Sequence, residues 1–391
     1  MLLVIVLVIG LGAVAMGGAT AGRIPPGERR VRMAAVLAIM GALVVGFGIV
    51  LFFAANWSDV PRWLRVALLM VGMAALYGLG HYLREVRRAN LHVGHALFFL
   101  GALLFGASLF LVGQMYHVQA HDPFAFLIWS IGCLLVALLV RSGPIAALAI
   151  LVFLAWILHE LVDLSTTAEE SAILLPALVA FYGITLYSFG TGAARWLAPL
   201  RFERPMRMIG YPLVALGVFA FTFRLVHEDA IFESALDPSR AKLLLWGFAA
   251  SAFAGCAALV ALRVRSRRTS LPEAALLAAA ALLILLAVLA PEVSHESFDE
   301  IGTGSATTYP LLFNALLALI ALGAIVVGFY DDEVWLANAG VVWVGIDVIA
   351  RFFDPQWSML ERSLVFMPAG AFVLAVAYVL ERRRRPVGAP G

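Results

Sequence analysis

The chain reads as an all-α protein, a polytopic integral membrane bundle of about thirteen transmembrane helices. Three observations predict it. Hydrophobic residues fill 63% of the 391 positions and charged residues only 13%, about half the charged share of a water-soluble domain. The apolar residues come in continuous runs of nearly the roughly 20 residues that cross a bilayer. Finally, 20 of the 27 basic residues fall in every second gap between those runs. Continuous runs fit helices, because barrel strands would alternate over about ten residues each.

The first run, 1–20, ends in Ala19-Thr20-Ala21, which looks like a cleavage site. It lacks the basic start of a secretory signal. Cleavage would also strand the arginines at 23–32 outside, so this run reads as a retained first span. Spans follow at 33–55, 63–83 and 94–115, the second of them opening after Pro61. The spans 124–141 and 143–160 begin at Pro123 and Pro144. Proline suits a first helical turn, where its missing N–H costs nothing. Spans 172–190 and 208–226 flank Arg195, Arg201, Arg204 and Arg207. Spans 242–262 and 272–290 flank Arg263, Arg265, Arg267 and Arg268. Spans 309–329 and 334–352 enclose Asp331, Asp332 and Glu333, and 363–381 precedes four arginines at 382–385. The longer gaps, 227–241 and 291–308, read as loops, and the Pro/Gly-rich end, 386–391, as a disordered tail. No gap has the length of a soluble domain, so 1–385 forms one transmembrane domain.

Basic loops stay cytoplasmic. The arginine-rich gaps therefore put the N-terminus outside and the C-terminus inside. The acidic gap at Asp331, Asp332 and Glu333 departs from the pattern and is read as inner because both its neighbours are.

His-Glu recurs at His159-Glu160, His227-Glu228 and His295-Glu296, 68 residues apart each time. The stretch 144–160 also aligns with 212–228 without gaps. A repeated two-helix hairpin explains this; so does the ordinary resemblance of apolar helices.

Polar groups near the membrane are the candidates for chemistry, because ionisable residues there are costly. Gln114, Tyr116, His117, His159, Glu160, His227 and Glu228 gather at span ends that point outward, and predict a polar vestibule. Asp347 and Arg351 stand four apart, share a helix face and pair within it. Asn314 and Asn338 are expected to join helices. His117 and His121 have a metal-ligand spacing, but Asp122-Pro123 follows at once and HExxH is absent, so a metal stays undecided. The two cysteines, Cys133 and Cys256, lie inside spans and define no paired motif. Glycines such as Gly101 and Gly106 allow close helix approach. The one lysine, Lys242, is not part of a phosphate loop, and no dinucleotide turn is present, so no cofactor is expected. Isolated loop arginines suit anionic lipid headgroups rather than nucleic acid.

Two stretches carry a resemblance. One is Phe53-Ala54-Ala55-Asn56-Trp57 with Pro61-Arg62-Trp63-Leu64-Arg65. The other is Gly101-Ala102-Leu103-Leu104-Phe105-Gly106-Ala107-Ser108, leading into Gly113-Gln114-Met115-Tyr116-His117. Together they resemble a family of bacterial predicted inner-membrane proteins, the domain-of-unknown-function 2157 group, most clearly over 35–160. Members of that family begin with a short polar segment, whereas this chain begins with an apolar span. The resemblance implies a bacterial cytoplasmic membrane location. It implies no activity and carries over no catalytic residue.

The expected function is transport or translocation of a small or lipid-like cargo through the outward vestibule. The alternatives are a membrane enzyme acting on a lipid- or isoprenoid-linked substrate, and a non-catalytic assembly protein. Membrane lipids are expected partners; protein partners are not legible.

Overall fold

The computed structural model describes residues 61–87, 91–116, 123–165, 168–223, 240–263, 270–289 and 308–353, with scattered helical positions between 37 and 48 and at 226 and 367. These residues form α1 (Arg62–His81), which runs into a π-turn at Tyr82–Val86, then α2 (Leu91–Met115), α3 (Phe124–Val140), α4 (Gly143–Leu164) and α5 (Ala168–Gly192). A short helix at Ala194–Leu197 and a 3-10 turn at Ala198–Leu200 lead to α6 (Glu203–Ala220). Then come α7 (Arg240–Arg263), α8 (Ser270–Leu289), α9 (Thr308–Tyr330) and α10 (Val334–Phe353). No strand occurs among the described residues. Each of the ten helices matches an expected span. The expected spans 1–20 and 363–381 and most of 33–55 lie outside the described residues, as does the tail.

Eight of the ten helices are long and apolar enough to cross a membrane. The exceptions are informative. α3 has 17 residues, about 25 Å of helix, slightly less than the hydrocarbon thickness. α6 opens with Glu203, Arg204 and Arg207, and eleven of its 18 residues are buried.

The boundaries of two helices move in ways that matter. α4 runs on to Leu164, so His159 and Glu160 lie inside the helix, more than a turn before its end. α6 starts five residues before the expected span and ends at Ala220, six residues early. The backbone turns there through Thr222 N–H to Phe219 O at 3.0 Å. Hydropathy continues through Phe221 and Phe223, but helical hydrogen bonding does not. The aligned prolines are consequently not equivalent: Pro144 sits in the first turn of α4, whereas Pro212 lies within α6.

α5 is at the centre of the bundle. Leu174, Ala177, Leu178, Ala180, Phe181 and Ile184 are fully enclosed, as expected of a helix that is apolar on every side. Its tightest partner is α6. A Cβ at Gly183 would stand 2.6 Å from Val214 N, and one at Gly210 would stand 2.6 Å from Tyr187 N. At Gly217 it would meet Pro176 O at 2.7 Å. Without these glycines the two backbones could not touch, and close backbone contact is how membrane helices associate when lipid removes the hydrophobic drive.

A second cluster joins α2, α3 and α4. Trp129 of α3 donates its indole N–H to Ala102 O at 3.0 Å, and its ring covers Gly106, where a Cβ would be 2.0 Å from Cε2. Tyr77 covers Gly101 in the same way, at 2.8 Å. Both glycines thus serve packing.

Contacts sort the helix termini into two ends. At one end Arg84 Nη1 donates to Val140 O at 2.8 Å, Gly143 approaches Arg201 O, and Tyr187 donates to Glu273 Oε1 at 2.5 Å. At the other, Phe126 stacks on His159 with centroids 4.6 Å apart, and Arg351 meets Thr222. Consecutive helices alternate between these ends, as spans of a membrane bundle do.

Candidate functional site: the seam between α6 and α10

α10 packs extensively on α9 and only lightly on α6. What crosses the seam between α6 and α10 is mostly charge and aromatic surface, in three levels.

At the Arg84 end, Arg207 of α6 is 5% exposed. It faces Glu333, which immediately precedes α10. Arg207 Nη1 donates to Glu333 Oε1 at 2.7 Å, and Nη2 donates to Oε2. This two-pronged geometry is the strong form of the arginine–carboxylate pair. Glu203, one turn earlier on α6, approaches Nη1 at 3.7 Å. The guanidinium also lies over the Trp335 ring, 5.6 Å from its centroid. A cavity of about 350 Å³ opens here, lined by Glu203, Arg204, Arg207, Asp332, Glu333 and Trp335 among others. Deeper in, the Tyr187 ring stands beside that of Tyr211, with centroids 6.2 Å apart. The buried Tyr211 hydroxyl has no hydrogen-bond partner among the described residues.

One turn short of the far end, Phe219, the penultimate residue of α6, meets Trp343 of α10, centroids 6.0 Å apart.

At the far end, Arg351 is fully buried. Its Nη2 donates to Thr222 Oγ1 at 2.7 Å and its Nη1 to Thr222 O at 3.3 Å. Its Cζ lies 4.5 Å from the Phe223 centroid. Asp347, one turn back and 7% exposed, places Oδ1 3.7 Å from Arg351 Nε. No hydrogen-bond donor reaches that oxygen among the described residues. The early end of α6 creates this arrangement, because unwinding after Ala220 releases the Thr222 carbonyl to accept from Arg351.

The expected site residues separate into two groups. Asp347 and Arg351 pair on one face of α10, as their spacing predicts. Gln114 and Tyr116 are exposed at the end of α2. His159 is exposed on α4, where it stacks on Phe126 and holds Nδ1 2.8 Å from Ala155 O. Glu160 is half-buried beside it. No contact between these four and the Asp347–Arg351 pair appears among the described residues. His117, His227 and Glu228 lie outside the described residues, as do His121 and His295. Among the described residues no three or more His, Cys, Asp or Glu gather as a metal site would require.

Asn314 corrects an expectation. Its Nδ2 donates to Pro310 O in its own helix at 2.7 Å, instead of to a neighbouring one, and Asn338 is exposed.

Reading the sequence missed Arg207, Glu333, Tyr187 and Glu273 as site residues. One signal was available. The acidic gap in a row of basic ones marks a place where carboxylates answer a cation from elsewhere, and that cation is Arg207.

Fold and site define a multi-pass helical membrane protein with three charged residues, Arg207, Asp347 and Arg351, buried among the described helices. Residues 13–146 match the profile of a family described as predicted membrane protein, DUF2157. The match covers about a third of the chain, α1 to α3 and the start of α4, and stops before both helices of the seam. No curated protein and no solved structure matches the chain.

Proposed function

We propose that the protein moves a small or lipid-like molecule across the bacterial cytoplasmic membrane along the seam between α6 and α10. One observation carries the reading: a single, lightly packed helix pair holds a buried charged cluster at each end, Arg207–Glu333 and Asp347–Arg351. Ionisable groups at membrane depth are expensive and mark substrate or ion pathways. An ion pair kept purely for stability would be matched or bettered by apolar side chains of similar volume. The aromatic pair Phe219–Trp343 then acts as the constriction between two polar stations. Arginine asymmetry puts the Arg84 end, with its cavity, in the cytosol, and the exposed His159 and Gln114, with the half-buried Glu160, outside. In this arrangement the Asp347–Arg351 pair is the first buried station from outside.

The test needs no knowledge of the cargo. Cysteine replaces Phe219 or Trp343 in a chain whose native Cys133 and Cys256 are changed to serine. A charged, membrane-impermeant thiosulfonate is then applied to the protein in vesicles. A water-accessible path predicts that both positions react, although Trp343 lies mid-helix in α10 and Phe219 is half-buried one residue before the end of α6. If neither reacts from either side, the seam is sealed and the transport reading falls.

A further inference from the structure

The Arg84 end carries a second feature, away from the seam. Two arginines stand there in the left-handed backbone region: Arg141 at φ 52° and Arg201 at φ 60°. Glycine or asparagine is favoured in that region, and other residues are disfavoured by roughly 1–2 kcal/mol. Arg141 caps the end of α3 and Arg201 the end of the 3-10 turn, and strain of this kind at a non-glycine residue clusters at functional sites. The two sites are neighbours in space, because a Cβ at Gly143, two residues after Arg141, would lie 3.5 Å from Arg201 O.

Arg84 joins them. The π-turn that ends α1 sends its Nη1 to Val140 O, the carbonyl next to Arg141. His95 of α2 interacts electrostatically with both Arg84 and Arg201. Arg195 stacks over Trp196 at 4.5 Å, and Trp196 is half exposed. Glu85 pairs with Arg84 at 3.2 Å. No carboxylate pairs with Arg141, Arg195 or Arg201 among the described residues. Directly beside this patch α3 exposes bare apolar surface: Leu139 is 84% exposed and Leu135 56%.

We propose that Arg141 and Arg201, with Arg84 behind them, bind the phosphodiester headgroup of an anionic phospholipid, whose acyl chains lie along Leu135 and Leu139 of α3. The charge excess, the apolar flank at the same helix end and an interfacial tryptophan together select a lipid over a free anion. Guanidinium groups suit phosphate oxygens geometrically. Each arginine at a membrane surface strengthens anionic lipid binding by roughly five-fold. The short α3 helps, since a span of about 25 Å draws the headgroup layer toward Arg141. The site is independent of the seam and of transport.

Native mass spectrometry of the full-length protein tests this, with phosphatidylglycerol and phosphatidylcholine offered in equal amounts. The expected result is several-fold preferential retention of phosphatidylglycerol, with loss of that preference in the double variant Arg141→Asn/Arg201→Asn. Asparagine fits the left-handed backbone, so this variant keeps the fold, and a thermal melt in lipid-free detergent should match the parent. Arg62→Gln, at the opposite end, should leave the preference intact. Equal retention of both lipids by the parent overturns the proposal. So does an undiminished preference in the double variant, or displacement of phosphatidylglycerol by an equal concentration of inorganic phosphate. Should the double variant melt early, the single variant Arg201→Asn decides by the same readout.

Discussion

Arg207 and Glu333 are 126 residues apart in sequence and grip each other through both guanidinium nitrogens and both carboxylate oxygens. The pair ties the start of α6 to the turn between α9 and α10. It accounts for the acidic turn between α9 and α10: Glu333 is held by an arginine near the start of α6. Replacing Glu333 by alanine should destabilise the protein by about 3–5 kcal/mol, because a buried guanidinium would lose its two-pronged partner and keep only the more distant carboxylates Glu203 and Glu273. Replacing both partners, Arg207→Met with Glu333→Leu, should cost less than either single change. Denaturant unfolding in detergent measures this, and a double variant as unstable as the sum of the two singles would refute the coupling.

The glycine contacts between α5 and α6 give a sharper prediction. Gly183→Ala or Gly210→Ala puts a methyl group under 3 Å from backbone atoms of the other helix. Neither backbone can yield without separating the helices, so the cost should reach about 1–3 kcal/mol. Gly78→Ala and Gly247→Ala, which have nothing within 4 Å, should be neutral or slightly stabilising. Fluorescence size-exclusion after heating separates the two classes, and equal behaviour of all four would contradict the packing.

The fold was legible because the property that sets it is local and additive. Continuous apolar runs recover ten helices, several to within a residue or two, as with α3, α7, α9 and α10. α6 was misplaced because Phe221, Thr222 and Phe223 look as apolar as a helix while their backbone turns. The Asp347–Arg351 pair could be read because both residues sit on one helix at a spacing of four. Arg207 with Glu333, and Tyr187 with Glu273, could not be, because sequence gives no distance between helices. Gly183, Gly210 and Gly217 were invisible among 34 glycines, and only the crossing of α5 with α6 singles them out.

Asp332 offers a backbone test at the same turn. It holds φ 56°, a conformation that aspartate, asparagine and glycine tolerate and β-branched residues do not. Asp332→Asn or Asp332→Gly should leave the melting temperature unchanged or raise it slightly. Asp332→Val should cost about 1–2 kcal/mol. If valine is as well tolerated as asparagine, the left-handed turn between α9 and α10 is not present in solution.

Orientation is the assignment on which the proposed path depends, and two exposed residues test it together. Gln114 lies at the His159 end and Asp332 at the Arg84 end, both accessible. With native cysteines replaced, Gln114→Cys should react with an impermeant maleimide on intact cells. Asp332→Cys should react only after the cells are opened. This follows from basic loops being retained in the cytosol, here Arg84, Arg141, Arg195, Arg201 and Arg204 against few arginines opposite. The reverse labelling pattern would place the cavity beside Arg207 outside. The direction of the path would then invert, while the packing of α6 against α10 and the lipid site at Arg141 would stand.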